Sequence, residues 1–462
     1  MRECEGRSEV RRSGQVALST LWLVACRGSR GAAAWLGSVV HSPRGRTRSR
    51  PRGVPSHVLP GQLPLDSMSR ASVARLLQRL LPAVAASLLI WCFFLGQDPG
   101  PRYPFRSIPD ISSPKTASVV APREDTVPPP LYNDTWIETR TYTIPGCPCE
   151  RSGLDLASLL SRRREAQERP EDFPEWFLKR FSFEGASACS DYATQRGGGQ
   201  RVVSYVYYAK GGRSVRESHD YKKYLSQLYD TVHVIGRVYP GWLVRIHHNV
   251  TADDEVGTAE LCRIYCDHDH VDLCHAHDLP GLGNMNEQGL TGRIWRFAVM
   301  GDPTVRTFLS RDTDSWVLDR EVAAVREWLA SNRTFHVVHD HPNHNAVMLA
   351  GLWGAHNRDL GAMQSLRDQM YSRPKSEMRS QDQLLLKEVV WPYARTNVLN
   401  HASFTCKSRL REHGPAVPFP TQREGDRYCG WGTYKVGPAR KVAKAVCPEE
   451  CRPKDHQDWT RC

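Results

Sequence analysis

The chain has 462 residues and a formal net charge of +12, more length than one ordinary domain of about 150 residues needs. The charge is not spread over a phosphate-binding face. Residues 1–67 hold 11 Arg, no Lys and four acidic residues, and Arg70, Arg75 and Arg79 add three charges, which leaves +2 (12 − 7 − 3) for everything beyond. A near-neutral remainder argues against nucleic acid as the partner.

In chain order, residues 1–75 read as a disordered basic cytosolic tail, rich in Arg, Gly, Ser and Pro. Residues 1–67 are alternatively an extension ahead of a natural start at Met68. Leu80 to Gly96 is a run of 17 residues without charge, and Leu76 and Leu77 lengthen it if Arg79 snorkels. Three Arg precede this run and no basic cluster follows it. Residues 76–96 are therefore expected to be a transmembrane signal anchor with the remainder in the lumen, a single-pass type II arrangement in the Golgi membrane. A cleaved signal peptide is the competing reading, but Pro99, Pro101 and Pro104 follow where small residues would mark cleavage. Residues 97–146 form a Pro-rich stem.

Of 14 Cys, 11 lie beyond the anchor, a usage expected of an oxidising compartment. Eleven is odd, so one thiol is left free or pairs between chains. Zinc is the rival reading for Cys262 and Cys266 with His268, His270, Cys274, His275 and His277. Sequons at Asn133, Asn249 and Asn332 suit a lumenal glycoprotein.

The globular region is expected to run over 147–425, with a Cys-rich extension over 426–462. Arg201 to Tyr208 is a continuous apolar and aromatic run, read as a buried first strand. Residues 216–230 carry helical spacing. A second strand is predicted at Thr231–Ile235 and a third at Trp242–His247 after the turn Pro240-Gly241. Alternation of this kind predicts an α/β sheet, whose ligands sit at the carboxyl ends of strands. Phe297 to Met300 reads as a further strand-like run, and Thr304 to Leu309 leads into Ser310-Arg311-Asp312-Thr313-Asp314. Two carboxylates one residue apart at a strand end suit one hard divalent cation, Mn²⁺ or Mg²⁺, with positions left for phosphates. Residues 320–330 form an amphipathic helix with Asp319 as its N-cap, and Phe335 to Val338 is another strand. A helix over Gln381–Val390 follows, and the segment beyond Pro392 reads as a loop-rich cap stapled by disulfides.

Several short motifs follow one another in order. They are Ile294-Trp-Arg-Phe297, Gly301-Asp302-Pro303, Ser310 to Ser315, Arg320-Glu321 and Glu327-Trp-Leu-Ala-Ser331. Phe335-His336, Asp340-His341-Pro342-x-His344, Gly351-Leu-Trp-Gly354 and Pro418-Phe-Pro-Thr-Gln-Arg423 complete the set. Over residues 200–425 the chain resembles a family of glycosyltransferase-like proteins found in bacterial surface-polysaccharide clusters and in some invertebrates. His339 departs from the Arg expected there, and Ala350 from the expected Gly.

The resemblance implies a GT-A-like fold, a Rossmann-type mixed sheet flanked by helices with an Asp-x-Asp metal site. It implies a nucleotide-sugar donor and a glycan or glycoconjugate acceptor. Asp314 is the expected direct metal ligand, Asp312 its partner, and His401 a late-chain histidine that completes the metal shell. Arg296, Arg311, Arg320 and Glu321 are candidates for the donor site, although Arg311 suits a structural pair with Glu321 equally well. Asp340, His341 and Trp353 are candidates for the sugar pocket, with core packing the alternative for Trp353. Asp382, at the start of its helix, is the candidate base for an inverting transfer. Two other classes stay open: an inactive lumenal glycan-binding protein of the same fold, and a metal-dependent hydrolase built on His339, Asp340, His341 and His344.

Overall fold

The computed structural model describes residues 137–373, 378, 380–406, 416–432 and 445–462. The tail, the expected anchor at 76–96, the stem up to residue 136 and Asn133 lie outside these residues. Among the described residues no helix is long and apolar enough to cross a membrane.

Ten strands are described: β1 (Thr139–Thr143), β2 (Glu150–Leu154), β3 (Gln200–Tyr207), β4 (Leu243–His248), β5 (Val271–His275), β6 (Val305–Arg311), β7 (Phe335–His339), β8 (Leu352–His356), β9 (Val398–Ala402) and β10 (Ala416–Val417). β1 and β2 form an antiparallel pair, and the other eight make one sheet in the order β5-β4-β3-β6-β8-β7-β9-β10. Every neighbouring pair in it is parallel except β8 with β6 and with β7. β3, β4 and β5 step outward on one side, whereas β6 lies on the other side of β3. The crevice at the carboxyl ends of β3 and β6 is thus the switch point at which such sheets hold ligands. The expected mixed sheet flanked by helices is what forms.

Helices cover both faces. They are α1 (Leu156–Glu168), α2 (Glu175–Arg180), α3 (Asp191–Gln195), α4 (Leu228–Val238), α5 (Glu255–Asp267), α6 (Asp319–Ala330), α7 (Leu360–Ser372), α8 (Gln381–Leu385) and α9 (Trp391–Ala394). One face packs Val203, Tyr205, Val244, Ile246 and Leu309 against α4, α5 and α6, through Val232, Ile235, Ile264, Val325 and Trp328. The other packs Phe308, Val337 and Trp353 against α7 through Met363 and Met370. The sheet is therefore buried on both sides, which is why β3 reads as an unbroken apolar run rather than an alternation.

Three local expectations are corrected. Thr231–Ile235 is not a strand but the middle of α4. Five residues rich in β-branched side chains resemble a strand. Over eleven residues, however, Leu228, Thr231, Val232 and Ile235 fall on one buried helical face, with Asp230 in the first turn and Arg237 in the last. Phe297 to Met300 is likewise no strand: Gly292–Val299 forms a 3₁₀ segment whose residues other than Arg293 are buried, so its apolar density carries no period. Gly292 lies where a Cβ would stand 2.3 Å from the ring of Tyr208, so only glycine lets this segment reach β3. The N-cap of α6 is Leu318, without a side-chain cap, and Asp319 is its first helical residue.

β9 had no counterpart in the sequence reading, because Asn400 and His401 interrupt its apolar pattern. Both side chains are satisfied across the strand pair, Asn400 by His339 and His401 by His336. The expected helix from Gln381 continues past Val390 through a π-turn at Leu386–Val390 into α9. Pro392 lacks the N–H for the carbonyl four residues back, and the wider turn accommodates its ring.

Five disulfides are found among the described residues. Cys147–Cys262 and Cys149–Cys266 pin the turn after β1 to α5, and Cys189–Cys274 ties the segment before α3 to β5. Cys406–Cys451 and Cys447–Cys462 gather the C-terminal segment below β9. Cys262, Cys266 and Cys274 are all bridged, which removes the thiolates a zinc site would need. The odd cysteine is Cys429, buried and free.

Candidate active site

β6 carries Phe308 and Leu309 into opposite cores and ends at Arg311. The chain then turns: Ser315 N–H donates to Asp312 O at 3.2 Å, closing a tight turn that holds Asp312 and Asp314. The turn is clamped from the C-terminal segment, where Trp431 O accepts from Trp316 N–H at 3.1 Å and Gly432 bridges Ser315. From below, Ser310 Oγ donates to Ala350 O at 2.8 Å, drawing the backbone at Gly351 beneath the turn. A Cβ at Gly351 would lie 2.1 Å from Asp312 Oδ2, so the Asp312 carboxylate occupies the place of the missing side chain.

Arg296, on the buried 3₁₀ segment, connects the site. Its Nη1 donates to Asp312 Oδ1 at 2.5 Å and to Arg311 O at 3.0 Å, and its Nη2 donates to Asp382 Oδ2 at 3.0 Å. Ser204 Oγ on β3 holds the Arg296 carbonyl at 2.7 Å, which fixes the segment to the sheet. Burial opposes the guanidinium charge, yet Asp312 and Asp382 together raise its pKa above the ordinary value. Asp382 is in the first turn of α8, and its other oxygen accepts from Gln383 N–H at 2.9 Å. Burial pushes its pKa up, Arg296 pulls it down and Asp312 pushes it up, with a net rise.

Asp314 has a partner the sequence reading missed. Lys223 Nζ lies 3.1 Å from Asp314 Oδ2, with the two side chains 13% and 22% exposed. Lys223 belongs to a π-turn, Tyr221–Leu225, on the connection between β3 and α4. Burial raises the Asp314 pKa, and the Asp312 charge raises it further against the lowering effect of Lys223. The only sequence signal was a Lys-Lys pair between the tyrosines of a predicted helix, which looks like an ordinary solvated face.

The structure brings together Asp312, Asp314, Arg296 and Asp382. Other candidates are placed elsewhere. Arg311 donates to Glu321 Oε1 at 2.6 Å and to the carbonyls of Ser310 and Trp353, and both members of that ion pair are buried. It is a structural pair beneath the turn, not a phosphate clamp. Arg320 forks onto Asp340 at 3.0 and 3.1 Å and also reaches Ser403 Oγ and the carbonyl of Thr421. Asp340 is fully buried and accepts in addition from Arg423, Ser403 Oγ and the Cys429 amide. With every lone pair engaged it cannot bind a sugar hydroxyl. It anchors the C-terminal segment instead.

Trp353 is fully buried between Phe297 and Phe308, with ring centroids 5.8 and 5.1 Å away, so it packs the core rather than a sugar. His341 Nδ1 accepts from Asn343 N–H, and its ring lies 4.5 Å from that of Tyr428, which makes it part of a turn. His339 bonds Asn400 and the Ala346 carbonyl, and His344 Nδ1 accepts from the Asp340 amide. Asp340 and His339 are thus engaged within the protein on all their polar side-chain atoms, and His341 and His344 each have one ring nitrogen taken by a backbone amide. Among the described residues no group of three or more His, Cys, Asp or Glu is arranged to hold a metal.

His401 is corrected on the same ground. Its Nε2 faces Glu327 Oε2 at 3.2 Å and its Nδ1 faces His336 Nε2 at 2.9 Å. A carboxylate accepts only, so His401 Nε2 donates to it and Nδ1 is left to accept from His336. No lone pair remains for a cation. Of the sequons described, Asn332 is exposed, whereas Asn249 turns its amide to the backbone of Ala209, accepting from N–H at 2.9 Å.

The carboxylates fit a hard cation in one respect. Asp312 is 47% exposed and Asp314, two residues on, is 22% exposed, so two hard oxygen donors lie together and partly open to solvent at the strand end.

No protein-family model matches the chain, and no curated protein sequence matches it. Among solved structures it is similar to a glycosyltransferase involved in glycosylation of the major capsid of PBCV-1. The identity there is 12% over 44% of this chain and 82% of that one, with a TM-score of 0.27. It is also similar to 4-diphosphocytidyl-2C-methyl-D-erythritol synthase from Anaerococcus prevotii DSM 20548, at 11% identity over 44% and 87% of the two chains and a TM-score of 0.28. A third is the mannosyltransferase PcManGT from Pyrobaculum calidifontis, solved with GDP-Man and Mn²⁺, at 12% identity over 54% and 68% and a TM-score of 0.25. Two of these three neighbours are glycosyltransferases. The overlaps are slight, and the fold stands on the strand order and register given above.

Proposed function

We propose that the chain is a glycosyltransferase that moves a sugar from a nucleotide-sugar to a hydroxyl of a glycan or glycoconjugate. The observation that carries this reading is one guanidinium, Arg296, holding Asp312 of the strand-end carboxylate pair and Asp382 of α8 at the sheet's switch point.

Asp312 and Asp314 would hold Mn²⁺ or Mg²⁺. When bound, such a cation neutralises charge on the departing diphosphate as a Lewis acid. Asp382 accepts the proton of the acceptor hydroxyl as that oxygen bonds to the anomeric carbon and the bond from that carbon to the phosphate oxygen breaks. Arg296 keeps Asp382 oriented and offers positive potential beside the leaving group. Arg293, which lowers the pKa of Asp382, adds to that potential.

The five disulfides and the exposed Asn332 sequon support a lumenal setting, with residues 76–96 as the anchor of a Golgi type II protein. The test is a panel of nucleotide-sugars screened with Mn²⁺ for thermal stabilisation of the full-length chain. A donor at 100 times its Kd adds about 2.7 kcal/mol. Stabilisation that needs both the metal and one donor supports the reading. Glycan binding indifferent to Mn²⁺, with no donor effect, would make the chain an inactive binding protein.

A further inference from the structure

We infer that Lys223 is a resident counter-ion of Asp314 that gives way to the divalent cation and then binds the donor's diphosphate. This rests on the reading of Asp312 and Asp314 as the metal site.

Three carboxylates, Asp312, Asp314 and Asp382, are ion-paired with two cationic side chains, Arg296 and Lys223. The two cations differ in kind. Arg296 is 3% exposed and forked between two carboxylates and a carbonyl, so it stays where it is. Lys223 is a point charge on a flexible stem, and Asp314 is its one carboxylate partner among the ion pairs described. A divalent cation on Asp314 would stand within a few ångströms of the ammonium. At about 4 Å and an effective dielectric near 20, even two unit charges repel by about 4 kcal/mol. The ammonium must then leave, and the nearest new negative charge is the diphosphate the cation binds.

The backbone under Lys223 supports an active role. Ser226 N–H bonds Tyr221 O at 3.0 Å across five residues, the wide turn that recurs at functional sites. The connection that carries it leaves the carboxyl end of β3, the strand that forms one side of the switch point. The Tyr224 ring lies beside the ammonium, with 4.8 Å from Nζ to the ring centroid.

The experiment is calorimetric titration of the full-length chain, first with Mn²⁺ alone and then with preformed Mn²⁺–pyrophosphate. In Lys223→Met, Mn²⁺ alone is expected to bind about tenfold more tightly because Asp314 is vacant, and Mn²⁺–pyrophosphate about tenfold more weakly because the phosphate loses its ammonium. Lys223→Arg should stay near wild type in both. Should Lys223→Met not fold, Lys223→Gln carries the same expectation. Opposite movement of the two affinities is the signature, since a merely structural lysine would move both the same way or neither. Mn²⁺ binding that is lost in Asp314→Ala but unchanged or weakened in Lys223→Met overturns this inference and leaves the site reading standing. Absence of Mn²⁺ binding in wild type and variant alike overturns both.

Discussion

Gly351 and Asp312 share one space: a Cβ on residue 351 would lie 2.1 Å from Oδ2 and 2.3 Å from Cγ of the aspartate. Gly351→Ala must therefore push the Asp312 carboxylate off Arg296. Because that carboxylate is 47% exposed and can swing into solvent, the fold should barely notice. The expected result is a melting temperature within a few degrees of wild type, with Mn²⁺-dependent donor binding weakened at least tenfold.

Asp382 separates donor handling from transfer. Asp382→Asn keeps one acceptor oxygen, which can serve either Arg296 or the Gln383 amide, and it cannot take a proton. Donor affinity should be retained while transfer to an acceptor falls by about 10²–10⁴-fold. Parallel measurement of donor Kd and of transfer rate checks this.

The same residue sets the acid side of the pH profile. Burial, then Asp312, raise its carboxyl above the ordinary range against the pull of Arg296. A base works deprotonated, so kcat/KM for transfer should fall as pH drops through that raised pKa. An acid limb at the ordinary carboxylate value near pH 4 would contradict the assignment.

Asp340 should behave as a structural anchor. Asp340→Ala leaves Arg320 and Arg423 buried without their carboxylate, a loss of about 3–5 kcal/mol. Urea denaturation should show that loss, and Asp314→Ala should show far less. A sugar-binding Asp340 would instead raise KM and leave the denaturation midpoint in place.

Acid should destabilise the fold through its buried histidines. Burial depresses His247 to about 4, and burial with His275 nearby depresses His248 to about 3. The unfolded values lie near 6.5, so below that pH the unfolded chain binds protons that the folded chain refuses. This stability is complete above pH 6.5 and is lost as pH falls toward 4 and 3, at about 1.4 kcal/mol per unit for each histidine. His248→Asn, whose amide oxygen can accept from Val250 N–H as Nδ1 does now, should narrow the gap between urea midpoints at pH 7 and pH 5.

Asp312, Asp314 and Asp382 were visible in the sequence because strand ends and helix starts are local patterns, whereas Arg296 was carried by the ordered motifs alone, inside a segment whose apolar density hid its fold. The sequence also anticipated β3, β4, β6, β7 and α6 to within about a residue or two. Partnership over long separations was not visible. Arg320 with Asp340 and Arg423, His401 with Glu327, and Lys223 with Asp314 are brought together only by the tertiary fold; Lys223 looked like a solvated face, and Arg320, Asp340 and His401 looked available for chemistry. Trp353 looked the same, because an aromatic in a Gly-flanked motif carries no mark of which face it turns to. The short β9 stayed hidden since its interior is polar and satisfied across strands.

Release of nucleoside diphosphate from a panel of nucleotide-sugars by the purified full-length chain tests the metal role of Asp314 most directly. It is measured with and without Mn²⁺, in wild type and in Asp314→Ala. Release from one donor is expected, dependent on the metal and abolished by the substitution. Release that ignores both the metal and Asp314, or that requires His339 and His341 instead, would contradict that role.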